Sequence, residues 1–388
     1  MGLQMKTFQS ITKLLPIKVR WRSCFTIPAT TLFVLFNPSS LYADTSTDPR
    51  YVIEEYGLLD DYGATAVVRR INSFKEVAGG FKRGTDPRKI SKAFVLKESG
   101  FEDLRGDTGT DFSTTYGLND NGEAVGVLNT NISMRPFRAT RGNSFRILPL
   151  LPGDSGGIAY SINENGEAVG YSSGKTGLRP VWWTINGDVR ELQGLAGNSN
   201  YALDLNDSGD IVGVSGEALK KAVLWPDKGA PVSLGTLPGF IGSEAVSINN
   251  QKEIVGFATG TNTDLNLSRA VLWKPLLQSI QELGTLPGGS ESRARDINDS
   301  GQVVGTSSSS QGSRAFIWTA AEGMLDLNTL FISPGVVVTD AVGINNTGDI
   351  VVIGHMQETE TIDHDHEVGH DHGDHERPRQ IFVLTKVQ

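Results

Sequence analysis

All six histidines of the chain lie within 21 residues near its C-terminal end, interspersed with carboxylates. This segment contains two H-x-H pairs, one H-x-x-H pair and eight acidic residues from Glu358 to Glu376, with no basic residue among them. Neutral imidazoles and carboxylates at these spacings can bind Zn²⁺, Ni²⁺ or Cu²⁺. The sequence therefore predicts a metal-binding loop whose ligands are His355, His364, His366, His370, His372 and His375.

The composition of this loop decides what kind of metal site it could form. Residues 355–377 are polar and strongly acidic, which predicts a disordered insertion that cannot bury a core. A catalytic zinc needs three rigidly held ligands and one open position. We therefore expect no required cofactor, and Zn, Ni or Cu on the loop in a non-catalytic role.

Few other groups in the chain could serve as a catalytic base. There is no histidine outside the insertion, and Cys24 is the only cysteine. Serine and cysteine hydrolase mechanisms need an imidazole, which removes most hydrolase templates. A carboxylate pair acting on glycosides stays open, because Asp and Glu are plentiful. No catalytic residue is identified, and we expect a protein that is not an enzyme.

A repeated phrase organises the rest of the chain. Its marker is an asparagine that recurs at intervals of 43 to 49 residues. The seven copies are Asn72, Asn119, Asn163, Asn206, Asn249, Asn298 and Asn345. Seven units of this length indicate a repeat array.

Each unit contains four short apolar segments. In the unit of Asn249 they are "EAVSIN", "EIVG", "RAVLW" and "QELGTLPGG". An Asn-x-x-Gly turn joins the first two segments and predicts a hairpin, although Lys75 and Lys252 replace the glycine in two units. Four strands per unit are typical of a propeller blade. The sequence predicts an all-β fold, a single seven-bladed β-propeller over residues 51–388.

The two ends of the chain indicate how the ring closes. The N-terminal "RYVIEEYGLL" is similar to a fourth segment, and the C-terminal "RQIFVLTKV" is similar to a third. We expect the strand from Tyr51 to pair with the strand that ends at Val387, which would remove the open sheet edges.

The motifs I-N-x-x-G-x-x-V-G, R-A-F-x-W and L-G-T-L-P-G-G resemble a bacterial extracellular repeat family, the HAF repeats, named for a His-Ala-Phe tripeptide. The resemblance covers about Tyr51 to Val387, but Arg or Lys stands where the family has His. It implies secretion and a propeller-like fold, with no established enzymatic activity.

The second and third segments of each unit are joined by the longest connections, 8 to 27 residues from the second-segment glycine position to the next basic residue. In a four-stranded meander they emerge on one face, the long-connection face, which is the candidate binding surface.

A basic residue opens every third segment: Lys92, Arg135, Arg179, Lys221, Arg269, Arg314 and Arg379. These cations could bind an anionic ligand such as an acidic polysaccharide. Their repetition in every unit favours the alternative, structural ion pairs within or between blades.

The first 43 residues are typical of a secretory signal, with basic residues, the apolar run "FTIPATTLFVLF" and a small residue, Ala43, at the expected cut. A short leader, residues 44–50, would follow.

Removing the signal lowers the basic count from 35 to 30 against 44 acidic residues, for a net charge of about −14. Nucleic acid is not expected as a partner at that charge. No later stretch is apolar for long enough to span a membrane, so we expect no membrane span.

Together these features favour a secreted, monomeric, non-enzymatic propeller, periplasmic or extracellular, that binds a glycan or a protein through its long-connection face. Two alternatives stay open. One is a periplasmic metal-binding or buffering protein in which the histidine-rich insertion is the functional part. The other is a glycan-acting enzyme.

Overall fold

The structure is a computed structural model that describes residues 49–58, 67–82, 91–97, 100–104, 112–130, 133–140, 144–261, 263–357 and 379–387. These residues form an all-β fold of seven four-stranded antiparallel blades arranged in a ring, which confirms the predicted seven-bladed β-propeller. Among the described residues, no helix is long and apolar enough to cross a membrane.

The strands follow the repeat. The chain starts with β1 (Tyr51–Leu58), which belongs to the last blade. Blade one holds β2 (Val67–Ile71), β3 (Val77–Lys82), β4 (Ser91–Lys97) and β5 (Gly100–Asp103). Blade two holds β6 (Phe112–Leu118), β7 (Ala124–Asn129), β8 (Met134–Thr140) and β9 (Ser144–Ile147). Blade three holds β10 (Gly156–Ile162), β11 (Ala168–Gly174), β12 (Gly177–Trp183) and β13 (Val189–Glu191).

The remaining blades have the same order. Blade four holds β14 (Asn200–Leu205), β15 (Ile211–Ser215), β16 (Lys221–Trp225) and β17 (Val232–Ser233). Blade five holds β18 (Gly242–Ile248), β19 (Ile254–Thr259), β20 (Ser268–Lys274) and β21 (Ser279–Gly284). Blade six holds β22 (Ser292–Ile297), β23 (Val303–Ser309), β24 (Gly312–Thr319) and β25 (Gly323–Asp326). Blade seven holds β26 (Val336–Ile344), β27 (Ile350–Met356), β28 (Gln380–Lys386) and β1. Three-residue 3₁₀ turns occur at Pro226–Lys228, Pro275–Leu277 and Leu327–Thr329.

The ring is closed as the sequence predicted. Strand β1 pairs antiparallel with β28, from Tyr51 opposite Lys386 to Leu58 opposite Gln380. The first strand of each blade is the innermost, and β26 of the last blade contacts β2 of the first. The N-terminal strand therefore completes a blade whose other three strands come from the C-terminal end.

Each blade buries both faces of its middle strands against its neighbours. Strand β15, with the sequence "IVGVS", is buried at every position because blades three and five cover its two sides. The tryptophans that end the third strands fill these interfaces, and Trp183, Trp225 and Trp273 are at most 1% exposed. The indole N–H of Trp183 donates to the Pro149 carbonyl at 2.8 Å, linking its blade to the connection that precedes it. These aromatic residues therefore stabilise blade packing and are not available as a binding surface.

Every first strand contains a β-bulge. In blade three, Ala159 pairs with Gly170 and Ser161 pairs with Val169, so Tyr160 is the extra residue. The bulge pushes a backbone carbonyl towards the next strand, and a Cβ on Gly170 would lie 1.9 Å from the carbonyl oxygen of Ile158. This close approach explains the glycine that recurs seven residues after the marker asparagine.

The turns after the first strands need a left-handed residue. The last turn position has positive φ in all seven blades, including Lys75 at 59° and Lys252 at 64°. Such a conformation is unfavourable for a residue with a Cβ. The two lysines that replace glycine therefore make their turns less favourable than those of the other five blades.

Candidate functional site

The extra residue of each bulge points into the central channel. A bulge turns a side chain out of its normal alternation, and bulges are common beside functional sites. The seven side chains line one cavity of about 460 Å³. We name this cavity the funnel; its ring consists of Arg69, Tyr116, Tyr160, Leu203, Val246, Arg295 and Val342.

The funnel opens on the long-connection face. Its wall also contains Phe257 and Ile353, in the second halves or middle of second strands, and Arg379, just before β28. These positions flank the connections between second and third strands. The structure thus places a cavity on the face that the sequence predicted as the binding surface.

One side of the funnel is aromatic. The guanidinium carbon of Arg69 lies 5.5 Å from the centre of the Tyr116 ring. Tyr116 makes an edge contact with Tyr160 at 5.4 Å between ring centres, and Tyr160 lies 5.9 Å from Tyr171. Burial raises the pKa of the Tyr116 and Tyr160 hydroxyls, so both stay neutral and can donate hydrogen bonds at physiological pH.

The funnel holds cations whose charge is incompletely balanced. Within the described part of the chain, Arg69 forms no ion pair. Its side chain is exposed to the funnel, but the surrounding wall partly desolvates the guanidinium and lowers its pKa, and the charge of Arg295 lowers it further. Arg295 reaches Asp340 only at 3.7 Å, and its Nε is buried without a hydrogen-bond partner. Arg379 is exposed at the wall. This arrangement can bind a negatively charged group.

A buried ion-pair network forms the floor of the funnel. Arg70 reaches Asp204 and Asp296, each at 2.6 Å. Ser161 donates to Asp204 at 2.6 Å, and Ser247 lies 2.8 Å from Asp204 and 2.7 Å from Asp296. Since these groups satisfy one another, the floor separates the two ends of the channel and leaves the funnel open on one side only.

The opposite mouth of the channel is built from the marker turns. Each marker asparagine donates its side-chain N–H to the carbonyl of the next marker, as from Asn163 to Asn206 at 3.1 Å. In six of the seven blades the residue after the marker accepts a hydrogen bond from a backbone N–H of the preceding blade, as Asp207 does from Glu164 at 3.0 Å. The polar groups here are largely used between blades, so this mouth has a structural role.

The predicted basic ring lies away from the funnel, with the exception of Arg379. Arg179, Arg269 and Arg314 face carboxylates of the outermost strands, Glu191, Glu282 and Asp326, at 3.2, 3.1 and 3.8 Å. Lys221 is exposed at the start of β16, and Arg135 has a buried Nε with no hydrogen-bond partner. The side chain of Lys92 lies outside the described residues. The structure therefore does not bring the ring together, and three of its members have the structural ion pairs that the sequence favoured.

The histidine-rich insertion is described only at its edges. His355 and Met356 are the last residues of β27, so the insertion starts later than the sequence indicated. His364, His366, His370, His372 and His375 lie outside the described residues. Within the described ranges, no group of three or more His, Cys, Asp or Glu side chains is placed to hold a metal ion. Metal binding by this loop stays a prediction.

Sequence reasoning missed the ring of the funnel. The signal was present: the residue three positions before each marker varies among Arg, Tyr, Leu and Val, while the residue before it is alanine in five of the seven units. In a regular strand this position would face the adjacent blade. Only the bulge, which the alternation pattern does not reveal, turns it towards the axis.

Comparisons with known proteins support the fold and no more. No protein-family model matches the chain, and no curated protein matches it. Among solved structures, it is similar to a streptogramin B lyase (12% identity, TM-score 0.52), with 88% of this chain and all of that one covered. It is also similar to an oligogalacturonate lyase from Vibrio parahaemolyticus (10%, TM-score 0.51, 89% and 95% covered) and to YCF48 bound to D1 peptide (10%, TM-score 0.51, 88% and 98% covered). At these identities the similarity shows a shared propeller architecture.

Proposed function

We propose that the protein is a non-enzymatic binding propeller that recognises its ligand, a glycan or a protein, in the funnel on the long-connection face. The observation that carries this proposal is the position of Arg69, which is exposed in the funnel beside Tyr116 and forms no ion pair within the described residues. Small-ligand sites are typically lined by apolar and aromatic side chains with a few polar groups that orient the ligand.

The rigid surroundings of the funnel support the same reading. Every residue of the ring is held by a bulge within a four-stranded blade, so the ring is positioned by backbone hydrogen bonds and not by loops. Preorganised side chains bind with a smaller loss of conformational entropy. Secretion and membership of the HAF-repeat family are part of the proposal. Secretion rests on the signal-like first 43 residues, and family membership rests on the repeat motifs.

A screen with two variants tests the proposal. The purified chain is applied to a glycan array and a peptide array, and each hit is repeated with Tyr160→Ala and with Arg314→Gln. Arg314 lies on the outer part of blade six, facing Asp326, and serves as the matched control. Binding that is lost in Tyr160→Ala and retained in Arg314→Gln supports the funnel. Hits that Tyr160→Ala does not weaken would place the binding site elsewhere.

The same screen addresses catalysis. A glycan ligand that is degraded during incubation would replace the binding role with an enzymatic one. Mass spectrometry of each bound glycan after incubation detects this outcome.

A further inference from the structure

We infer that the ligand of the funnel is an acidic glycan, with a uronate carboxylate bound by Arg69 and Arg295 and a sugar ring stacked on Tyr116 or Tyr160. This inference rests on the proposed function and specifies the ligand class of the same site. It is carried by the charge of the funnel, by its aromatic side and by its remaining acceptors.

The charge of the funnel is opposite to that of the protein. The whole chain has a formal net charge of −9. The lining of the funnel has four arginines, Arg69, Arg70, Arg295 and Arg379, against two carboxylates, Glu244 and Asp340. The two aspartates that bind Arg70 are not part of the lining and are almost completely buried, so the accessible wall has an excess of cations. A cavity lined by an excess of cations raises the local concentration of anionic ligands.

Arg69 and Arg295 have fewer competing contacts than their neighbours Lys220 and Arg293. Lys220 is already bound to Glu244 at 3.1 Å, and Arg293 donates to Ser268 at 3.1 Å. Arg69 has only the Tyr116 ring as a partner among the described residues, and Arg295 has a single distant contact with Asp340. Guanidinium groups bind carboxylates through paired N–H donors, which makes arginine the suitable residue for this group.

The aromatic side favours a sugar over a peptide. Tyr116, Tyr160 and Tyr171 form a continuous series of ring contacts and are each half-buried, so part of every ring stays accessible. Aromatic rings have an apolar face and, in tyrosine, a hydroxyl at the edge, which suits the apolar face and hydroxyl rim of a pyranose. A peptide is instead recognised mainly through its backbone, by pairing with a sheet edge or by pockets for alternate side chains. The funnel offers side chains and no outer strand edge.

The remaining acceptors fit sugar hydroxyls. Glu244 is held by Lys220, and Asp340 accepts a hydrogen bond from Thr306. Each carboxylate has further lone pairs that can accept from hydroxyl groups. A cavity of about 460 Å³ is within the usual range for small-ligand sites and admits a short oligosaccharide end.

The test compares charged and neutral forms of the same glycans by isothermal titration. The ligands are trigalacturonate, a glucuronate-containing hyaluronan tetrasaccharide, the methyl esters of both, and an acidic hexapeptide. The protein is the full chain, as wild type and as Arg69→Gln, Arg295→Gln, Tyr160→Phe and Arg314→Gln. Thermal unfolding of each variant confirms that it is folded. Because the side chain of Arg69 is exposed, replacing Arg69 should leave the core unchanged.

We expect at least one uronate to bind, with affinity about tenfold or more weaker after methyl esterification and a loss of the same order in Arg69→Gln and Arg295→Gln. Tyr160→Phe keeps the ring but loses the hydroxyl, so it should lose less affinity than the two arginine variants, and Arg314→Gln should be unchanged. Equal binding of esters and acids would overturn the acidic-ligand inference while leaving a glycan-binding funnel intact. Binding of the peptide alone would overturn it in favour of a protein ligand. No binding of either uronate would also reject the inference, and the array screen then decides separately whether the funnel binds any ligand.

Discussion

The side-chain N–H of Asn345 donates a hydrogen bond of 2.9 Å to the backbone carbonyl of Asn72, a residue 273 positions earlier in the chain. The same bond joins all six remaining pairs of neighbouring marker asparagines, as from Asn206 to Asn249 at 3.1 Å. These bonds form a closed circle around the channel. The marker therefore has two functions, since its side-chain oxygen also accepts the N–H groups of its own turn.

Replacing a marker tests how much this circle stabilises the ring. Asn345→Ala leaves buried turn N–H groups without an acceptor, so we expect the free energy of unfolding to fall by about 1–3 kcal/mol. Asn206→Ala removes equivalent contacts inside the array and is the matched control. Urea unfolding measures both, and hydrogen exchange of β1 should increase only in Asn345→Ala, where the two ends of the chain meet. If β1 exchanges equally in the two variants, the bond to Asn72 has no special role in closure.

The glycine opposite each bulge should tolerate no side chain. A Cβ at position 256 would lie 1.9 Å from the Glu244 carbonyl oxygen, so Gly256→Ala should destabilise the fold by about 3 kcal/mol or more through backbone displacement. Position 352 is the natural comparison, because blade seven has Val there and a second register shift between Val338 and Asp340. Val352→Ala should cost only about 1–2.5 kcal/mol, as for a buried side-chain truncation. Thermal unfolding of the two variants checks the order, and a larger loss in Val352→Ala would contradict it.

The floor of the funnel should respond to pH in a defined direction. Burial raises the pKa of Asp296 above its ordinary value of 3.8, although Arg70 opposes this shift. The folded protein then holds this proton more tightly than the unfolded chain does. The stabilising contribution of Asp296 is therefore present below pH 3.8 and is lost as the pH rises from 3.8 through the folded pKa.

The comparison of wild type with Asp296→Asn isolates that contribution. Urea unfolding from pH 4 to 7 should show a more positive dependence of stability on pH in the variant, whatever its absolute stability. Carboxylates that do not contact Arg70 titrate equally in both proteins and cancel. Parallel curves would mean that Asp296 titrates alike in the folded and unfolded states.

The histidine-rich insertion predicts a metal-dependent signal that is separate from the funnel. Titration of Zn²⁺ into protein purified without a histidine-affinity step should release heat at micromolar protein concentration, because imidazoles and carboxylates are abundant there. Deleting residues 358–376 should abolish that heat and leave the uronate titration unchanged. Zinc binding that survives the deletion would show that the ligands lie elsewhere in the chain.

The repeat was sufficient to predict the architecture because its signals are local. The Asn-x-x-Gly turn and the alternation of short apolar segments determine each hairpin, and the complementary ends predict the pairing of Tyr51 with the C-terminal strand. The structural role favoured for the basic ring is supported by Arg179, Arg269 and Arg314, which contact outer-strand carboxylates.

The site could not be predicted in the same way because it depends on side chains that meet across blades. Arg69 and Arg295 are 226 residues apart in sequence, and their common cavity exists only after closure. The orientation of Tyr160 depends on a bulge that a period of two residues does not reveal. The recurrent glycine was the available clue, since a close backbone approach implies an irregular partner strand.

Oxidative footprinting of aromatic side chains with and without trigalacturonate tests the central claim most directly, because it locates the bound ligand. The account predicts that Tyr116 and Tyr160 become protected from modification on binding. Trp182, which is half-buried between blades three and four and does not line the funnel, should be modified equally in both samples. Binding of trigalacturonate that leaves Tyr116 and Tyr160 as reactive as in the free protein would contradict a ligand site in the funnel.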